Sequence, residues 1–114
     1  VALAAQFAPL GPIEAIAAEA LRGHRFDLVI NSTSVGVASD THDWPTSVFA
    51  PGAFAYDLVY ADQPTQFVRW AAQHGAARTA DGLGMLIEQA AESFFLWRGV
   101  RPHTAPVFAL LRPR

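Results

Sequence analysis

The chain has 114 residues and a formal net charge of −2, a length that suits one domain or part of one. Hydrophobic residues make up 52%, many of them alanine, so the core is thin for the length. There is no basic stripe for nucleic acid, no cysteine for disulfides or thiolate metal sites, and no apolar run near the ~18 residues of a membrane span.

No leader is visible, which makes a cytoplasmic location the expectation. The sequence opens at Val1 in the middle of a pattern, and we expect a piece of a longer protein. Val1 to Ala8 reads as the tail of a helix, broken by Leu10-Gly11-Pro12. Ile13 to Arg22 is ambiguous: its alanines favour helix, yet Pro12 to Ile16 also suits a short strand before a helical turn. Phe26 to Ile30 is a compact apolar run, the mark of a strand buried on both faces. Asn31 to Pro45 is polar and glycine-bearing, hence loop, and Pro51-Gly52 predicts a turn. Ala53 to Tyr60 predicts a second buried strand. Pro64 to His74 predicts a helix with proline in its first turn and Gly75 at its end. Ala76 to Ala80 predicts a third strand, Gly82 to Trp97 a long helix stopped by Gly99 and Pro102, and Thr104 to Leu111 a last short helix.

Alternation of strand and helix implies parallel βαβ units, an α/β class. Ligands of such sheets sit beyond the carboxyl ends of the strands. Three marked segments fall there: Asn31–Gly36, Asp57–Tyr60 and Asp81–Gln89. In the last, Asp81 is an N-cap whose carboxylate suits the free N–H groups of the helix. Gly82 and Gly84 permit close approach to the backbone. Gly82, Met85 and Gln89 recur at helical spacing, which predicts one shared face.

Together these segments resemble the shikimate dehydrogenase family. Asn31-Ser32-Thr33-Ser34-Val35-Gly36 resembles its N-[AS]-T-x-x-G loop, Tyr56-Asp57-Leu58-Val59-Tyr60 its Y-D-x-x-Y strand end, and Asp81-Gly82-Leu83-Gly84-Met85-Leu86-Ile87-Glu88-Gln89-Ala90 its D-G-x-x-M-L-x-x-Q-A helix start. Order and spacing match over nearly the whole chain. Val37 departs, standing where the family usually has methionine.

The resemblance implies an enzyme that reduces 3-dehydroshikimate to shikimate with NADPH, in aromatic amino-acid biosynthesis. It implies the C-terminal portion of a Rossmann-like parallel sheet, followed by C-terminal helices. Residues 1 to 81 would be the latter part of the NADP-binding domain, and residues 82 to 114 a helical return to the substrate domain. The first βαβ unit, with its glycine-rich phosphate loop, has no counterpart here. Gly82-Leu83-Gly84 is a decoy for it, because the third glycine of G-x-G-x-x-G falls at Ile87. The sheet order 3-2-1-4-5-6 makes the present strands 3 to 6, with strand 3 near Pro12 to Ile16. Strands 1 and 2 and the N-terminal domain would then be needed as partners, and without them edge hydrogen bonds go unmet.

The resemblance also assigns roles. Gln89 and Tyr60 would bind substrate, Gln89 at a hydroxyl and Tyr60 at the carboxylate. Leu58 and Gly82 would meet the nicotinamide half of NADP through backbone atoms, with Met85 packed on the ring. Asn31, Thr33 and Ser34 would shape that pocket. The bland alternatives are an exposed helix amide for Gln89, a strand-end aromatic for Tyr60, core for Met85 and a self-bonded loop for Asn31, Thr33 and Ser34. The family's lysine and aspartate for proton transfer have no counterpart here, so no catalytic residue is assigned and the chain alone is expected inactive. Asp57 orients its loop by accepting backbone N–H groups and is not a base. Asp40-Thr41-His42-Asp43 has metal-ligand residue types but no second cluster at ligand spacing, so no metal is assigned. Phe94, Phe95 and Trp97 are expected to bury the long helix against the partner domain. The competing readings are a quinate-using variant of the same enzyme and a non-catalytic binding or assembly module.

Overall fold

The computed structural model describes residues 2–33 and 44–112. In chain order it has α1 (Ala2–Phe7), single 3-10 turns at Ala8–Leu10 and Ala18–Leu21, β1 (Phe26–Asn31), β2 (Phe49–Asp57), α2 (Gln66–Gln73), β3 (Arg78–Ala80), α3 (Leu83–Arg98) and α4 (Ala105–Leu111).

The strands form one parallel three-stranded sheet in the order β1-β2-β3. β1 runs beside β2 from Leu28↔Phe54 to Asn31↔Asp57, and β2 beside β3 from Phe54↔Arg78 to Tyr56↔Ala80. Parallel neighbours need a crossover, and α2 supplies it between β2 and β3. Asn31 and Asp57 therefore end level at one rim, and Asp81 follows β3 directly.

Alternation along β2 builds the core. Phe49, Ala53, Ala55 and Asp57 are buried, and Phe67 and Ala71 of α2 pack with the first three. Small side chains at Ala55 and Ala71 bring helix and sheet close, both being fully buried. Trp70 fills the outer layer, its ring 5.5 Å from Phe49, 5.6 Å from Phe67 and 5.2 Å from Trp44 between centroids. α2 begins at its cap Thr65, whose side chain accepts from the Val68 N–H.

α3 buries Leu83, Ile87 and Ala91, one residue per turn. It ends at Gly99, left-handed at φ 68°, whose N–H reaches the Phe95 carbonyl at 2.7 Å. The chain then folds back: Arg101 pairs with Glu92 and stacks over the Phe95 ring at 4.8 Å.

Several sequence expectations are corrected. Pro12 to Ile16 forms no strand, and Ile13 and Ile16 lie exposed. Proline lacks a ladder donor, and no described strand offers this segment a partner. Among the described residues the sheet therefore has three strands where four were expected. β1 is not buried on both faces: Leu28 and Ile30 are 51% and 53% exposed, because no described element covers that side. Pro51-Gly52 is a bulge inside β2 rather than a turn before it. Between Phe26↔Phe49 and Leu28↔Phe54, β1 advances two residues while β2 advances five, with Gly52 at φ 84°. Pro64 precedes the Thr65 cap of α2 instead of sitting in its first turn. Phe94, Phe95 and Trp97 lie exposed on α3, and the partner domain expected to bury them is not among the described residues.

Candidate functional site

Asp57 is the centre of the rim. Alternation along β2 turns its side chain to the α2 side, where it is 1% exposed. Its Oδ1 accepts the Asn31 amide at 3.0 Å and the Val59 N–H at 3.1 Å, and its Oδ2 accepts the Thr65 hydroxyl at 2.5 Å. A buried carboxylate is tolerable when both oxygens are met, and the N-terminal end of α2 beside it favours negative charge.

Asn31 carries the link onward. Its Oδ1 accepts the Thr33 N–H at 3.2 Å and the Thr33 hydroxyl at 2.7 Å, an Asx turn that starts the loop. Its own carbonyl accepts the Leu58 N–H at 3.0 Å. Ser34 and the Asp40–Asp43 segment lie outside the described residues.

The third segment joins through Gly82, whose N–H donates to the Val59 carbonyl at 3.0 Å. A Cβ built there would lie 2.1 Å from the Leu58 carbonyl oxygen, so only glycine lets the strand end meet the helix start. Gly82 is buried and does not share the exposed side of α3 with Met85 and Gln89, as the spacing predicted. Its close neighbour is the protein's own backbone. A Cβ at Gly84 would lie 3.6 Å from the Phe108 ring of α4, an ordinary contact. Gly82 and Leu83 are thus committed to packing, both being buried.

Two side chains satisfy the first N–H groups of α3. Asp81 Oδ1 accepts the Leu83 N–H at 3.2 Å, and the Tyr56 hydroxyl accepts the Met85 N–H at 3.2 Å. Asp81 is buried and also pairs with Arg112, tying the residue after α4 to the start of α3.

Asn31, Thr33, Leu58 and Gly82 are therefore one hydrogen-bonded group, with Met85 attached through Tyr56. Met85 is 44% exposed and Tyr60 52% exposed. Tyr60 borders a depression with Leu83, Leu86, Leu111 and Arg112. Gln89 lies nearly one turn beyond Leu86, exposed, its amide nitrogen donating to the Leu86 carbonyl at 3.3 Å. No described contact joins Gln89 to the other strand ends. Sequence reasoning assigned no part to Tyr56, Thr65 or Arg112. The Tyr56-Asp57 doublet carries a signal for the first, since neighbours on a strand face opposite sides. Nothing local signals the other two.

A parallel sheet with a crossover helix and a helical extension defines a Rossmann-like α/β architecture, of which this chain is a part. Residues 82–110 match the family model described as "Shikimate 5'-dehydrogenase C-terminal domain". A shikimate dehydrogenase (NADP(+)) from Alkalilimnicola ehrlichii is 58% identical over 112 residues, covering 98% of this chain and 41% of that protein. An Ael1 enzyme from Pseudomonas putida superposes with a TM-score of 0.81 at 44% identity, over 99% of this chain and 42% of that one. A Thermus thermophilus shikimate 5-dehydrogenase in complex with shikimate gives a TM-score of 0.72 at 34% identity, over 97% of this chain and 39% of that one. The chain belongs to the shikimate dehydrogenase family and matches the C-terminal part of its members. It spans about two fifths of the length of the curated relatives it matches. No helix among the described residues is long and apolar enough to cross a membrane.

Proposed function

We propose that the chain works as the C-terminal part of an NADP-dependent shikimate dehydrogenase, which reduces 3-dehydroshikimate to shikimate. The observation that carries this is the convergence of three separated segments on one rim through the Asn31–Asp57, Leu58–Asn31 and Val59–Gly82 hydrogen bonds. The NADP(+) in the relative's name and the shikimate in the Thermus complex supply the two ligands.

The rim suits the nicotinamide end of the cofactor. Gly82 lets the end of β2 and the start of α3 meet directly, and Met85, half exposed and tied through its N–H to the Tyr56 hydroxyl, would offer its thioether there as an apolar, polarizable surface. In this reading the backbone of Leu58 and Gly82 would meet the nicotinamide half of the cofactor. Asn31 and Thr33 spend their side chains on one another and on Asp57, so they shape the pocket. NADPH would supply the hydride. Tyr60 and Gln89, both exposed, would hold the substrate's carboxylate and a hydroxyl.

In this reading residues 1 to 81 complete an NADP-binding domain and residues 82 to 114 return to the substrate domain. The family model's match beginning at Gly82 supports that division. The missing N-terminal domain would bring the lysine and aspartate of proton transfer, and crossover helices of the earlier βαβ units would cover Leu28 and Ile30. The test is NADPH consumption by the full-length protein, expected to depend on 3-dehydroshikimate. Turnover of quinate instead would assign the quinate-using variant, and turnover of neither would overturn the reading.

A further inference from the structure

We infer that Asp57 and Thr65 are positioning residues that set the placement of Tyr60 for its ligand, an inference that rests on the dehydrogenase reading above. Both ends of the loop from Val59 to Thr65 are bonded to one carboxylate: the Val59 N–H at 3.1 Å and the Thr65 hydroxyl at 2.5 Å. Tyr60 lies inside that clip.

The chain entering the loop is held on three sides. Leu58 donates to Asn31, Val59 donates to Asp57, and the Val59 carbonyl accepts from Gly82. Tyr60 is the first residue past this clamp and is 52% exposed, so its ring is free to meet a ligand while its backbone origin is fixed. At the far end, Thr65 has two bonds from one hydroxyl. It donates to Asp57 and accepts from the Val68 N–H at 3.2 Å, which ties the loop to the first turn of α2. Asp57 is 1% exposed and faces the sheet–α2 interior, so it meets no ligand itself. A carboxylate is needed here because its acceptor-only oxygens meet three donors at once.

Substitutions separate the roles. Thr65→Ser keeps the hydroxyl. Thr65→Val removes it with little change in volume and leaves Oδ2 of Asp57 without its partner. Asp57→Asn keeps the shape but turns one acceptor into a donor facing a hydroxyl that already accepts from Val68.

The experiment uses the full-length enzyme, with KM and kcat for 3-dehydroshikimate, the melting temperature, and amide hydrogen exchange across Leu58–Pro64. In Thr65→Val we expect the substrate KM to rise about three- to tenfold, the scale of one lost hydrogen bond, with little change in kcat and faster exchange in the loop. Thr65→Ser should restore both, and Asp57→Asn should shift KM and exchange in the same direction as Thr65→Val. Should Asp57→Asn fail to fold, Thr65→Val carries the test alone. A Thr65→Val enzyme that melts earlier but keeps KM and exchange unchanged has lost only a helix cap, and the inference is overturned. Wild-type protein without turnover would sink the dehydrogenase reading instead, and loop exchange would then judge the clip independently.

Discussion

Gly82 and Leu58 touch through backbone: a Cβ on Gly82 would fall 2.1 Å from the Leu58 carbonyl oxygen. Gly84, two residues on, has only an ordinary contact waiting, 3.6 Å from the Phe108 ring. The two glycines should therefore respond to alanine with opposite signs. Gly82→Ala must push β2 and α3 apart, at ~3 kcal/mol, the upper end for overpacking. Gly84→Ala fills ordinary space in the first turn of a helix and should gain up to ~1 kcal/mol. Urea denaturation of the two full-length variants checks this. Equal losses from both would contradict it.

Asn31 serves two strand ends, so its removal should cost more than one hydrogen bond. Asn31→Ala leaves Asp57 short of a donor and Thr33 short of an acceptor, both at the rim. We expect a loss of about 1–3 kcal/mol and a raised KM for NADPH. Denaturation combined with cofactor titration measures both, and a variant unchanged in both would show that the network is idle.

The exposed side of β1 gives a third expectation. Leu28 and Ile30 are half exposed, and β1 pairs only with β2 among the described residues. Parallel sheets are ordinarily covered on both faces. The 114-residue chain made alone is expected to lack a sharp, cooperative, monomeric melt. Calorimetry with sedimentation reads this directly, and such a melt would count against the need for a covering partner.

Much of this arrangement is legible in the residues, for reasons that differ by element. Phe26 to Ile30 is apolar and bounded, so β1 announces itself, yet its uncovered face depends on what packs there. The glycine at 75 and the apolar spacing of Phe67, Trp70 and Ala71 mark α2. The bulge at Pro51-Gly52 is not legible, because the same dipeptide serves turns and bulges and only strand register separates them. Pro12 to Ile16 has strand-like composition and no strand partner among the described residues. At the site, the motif spacing locates the rim, whereas the carboxylate of Asp57 joins Asn31 and Thr65 only after the sheet has formed. Likewise, that Gly82 faces Leu58 rather than the side of Met85 and Gln89 is a matter of tertiary approach, invisible to helical periodicity.

The Glu92–Arg101 pair makes a pH prediction of known sign. The Arg101 hydrogen bond holds the Glu92 carboxyl below the ordinary glutamate value. A depressed carboxylate adds stability above its unfolded pKa and loses it as pH falls through the folded one. The pair is fully exposed, so the effect is small and salt should screen it. An NMR titration of Glu92 should show a lowered midpoint that rises in Arg101→Gln. An identical midpoint in both proteins would remove the pair from the account.

Met85 and Gln89 stand one turn apart on the exposed side of α3, and in the proposed enzyme they would meet different ligands: the nicotinamide for Met85 and a substrate hydroxyl for Gln89. The most direct measurement is therefore a pair of KM values for each full-length variant. Gln89→Ala should raise KM for 3-dehydroshikimate by about two- to tenfold, the scale of one hydrogen bond, and leave KM for NADPH near wild type. Met85→Ala should do the reverse. Variants that leave both constants unchanged, or that shift the two together, would contradict a single helix serving substrate and cofactor.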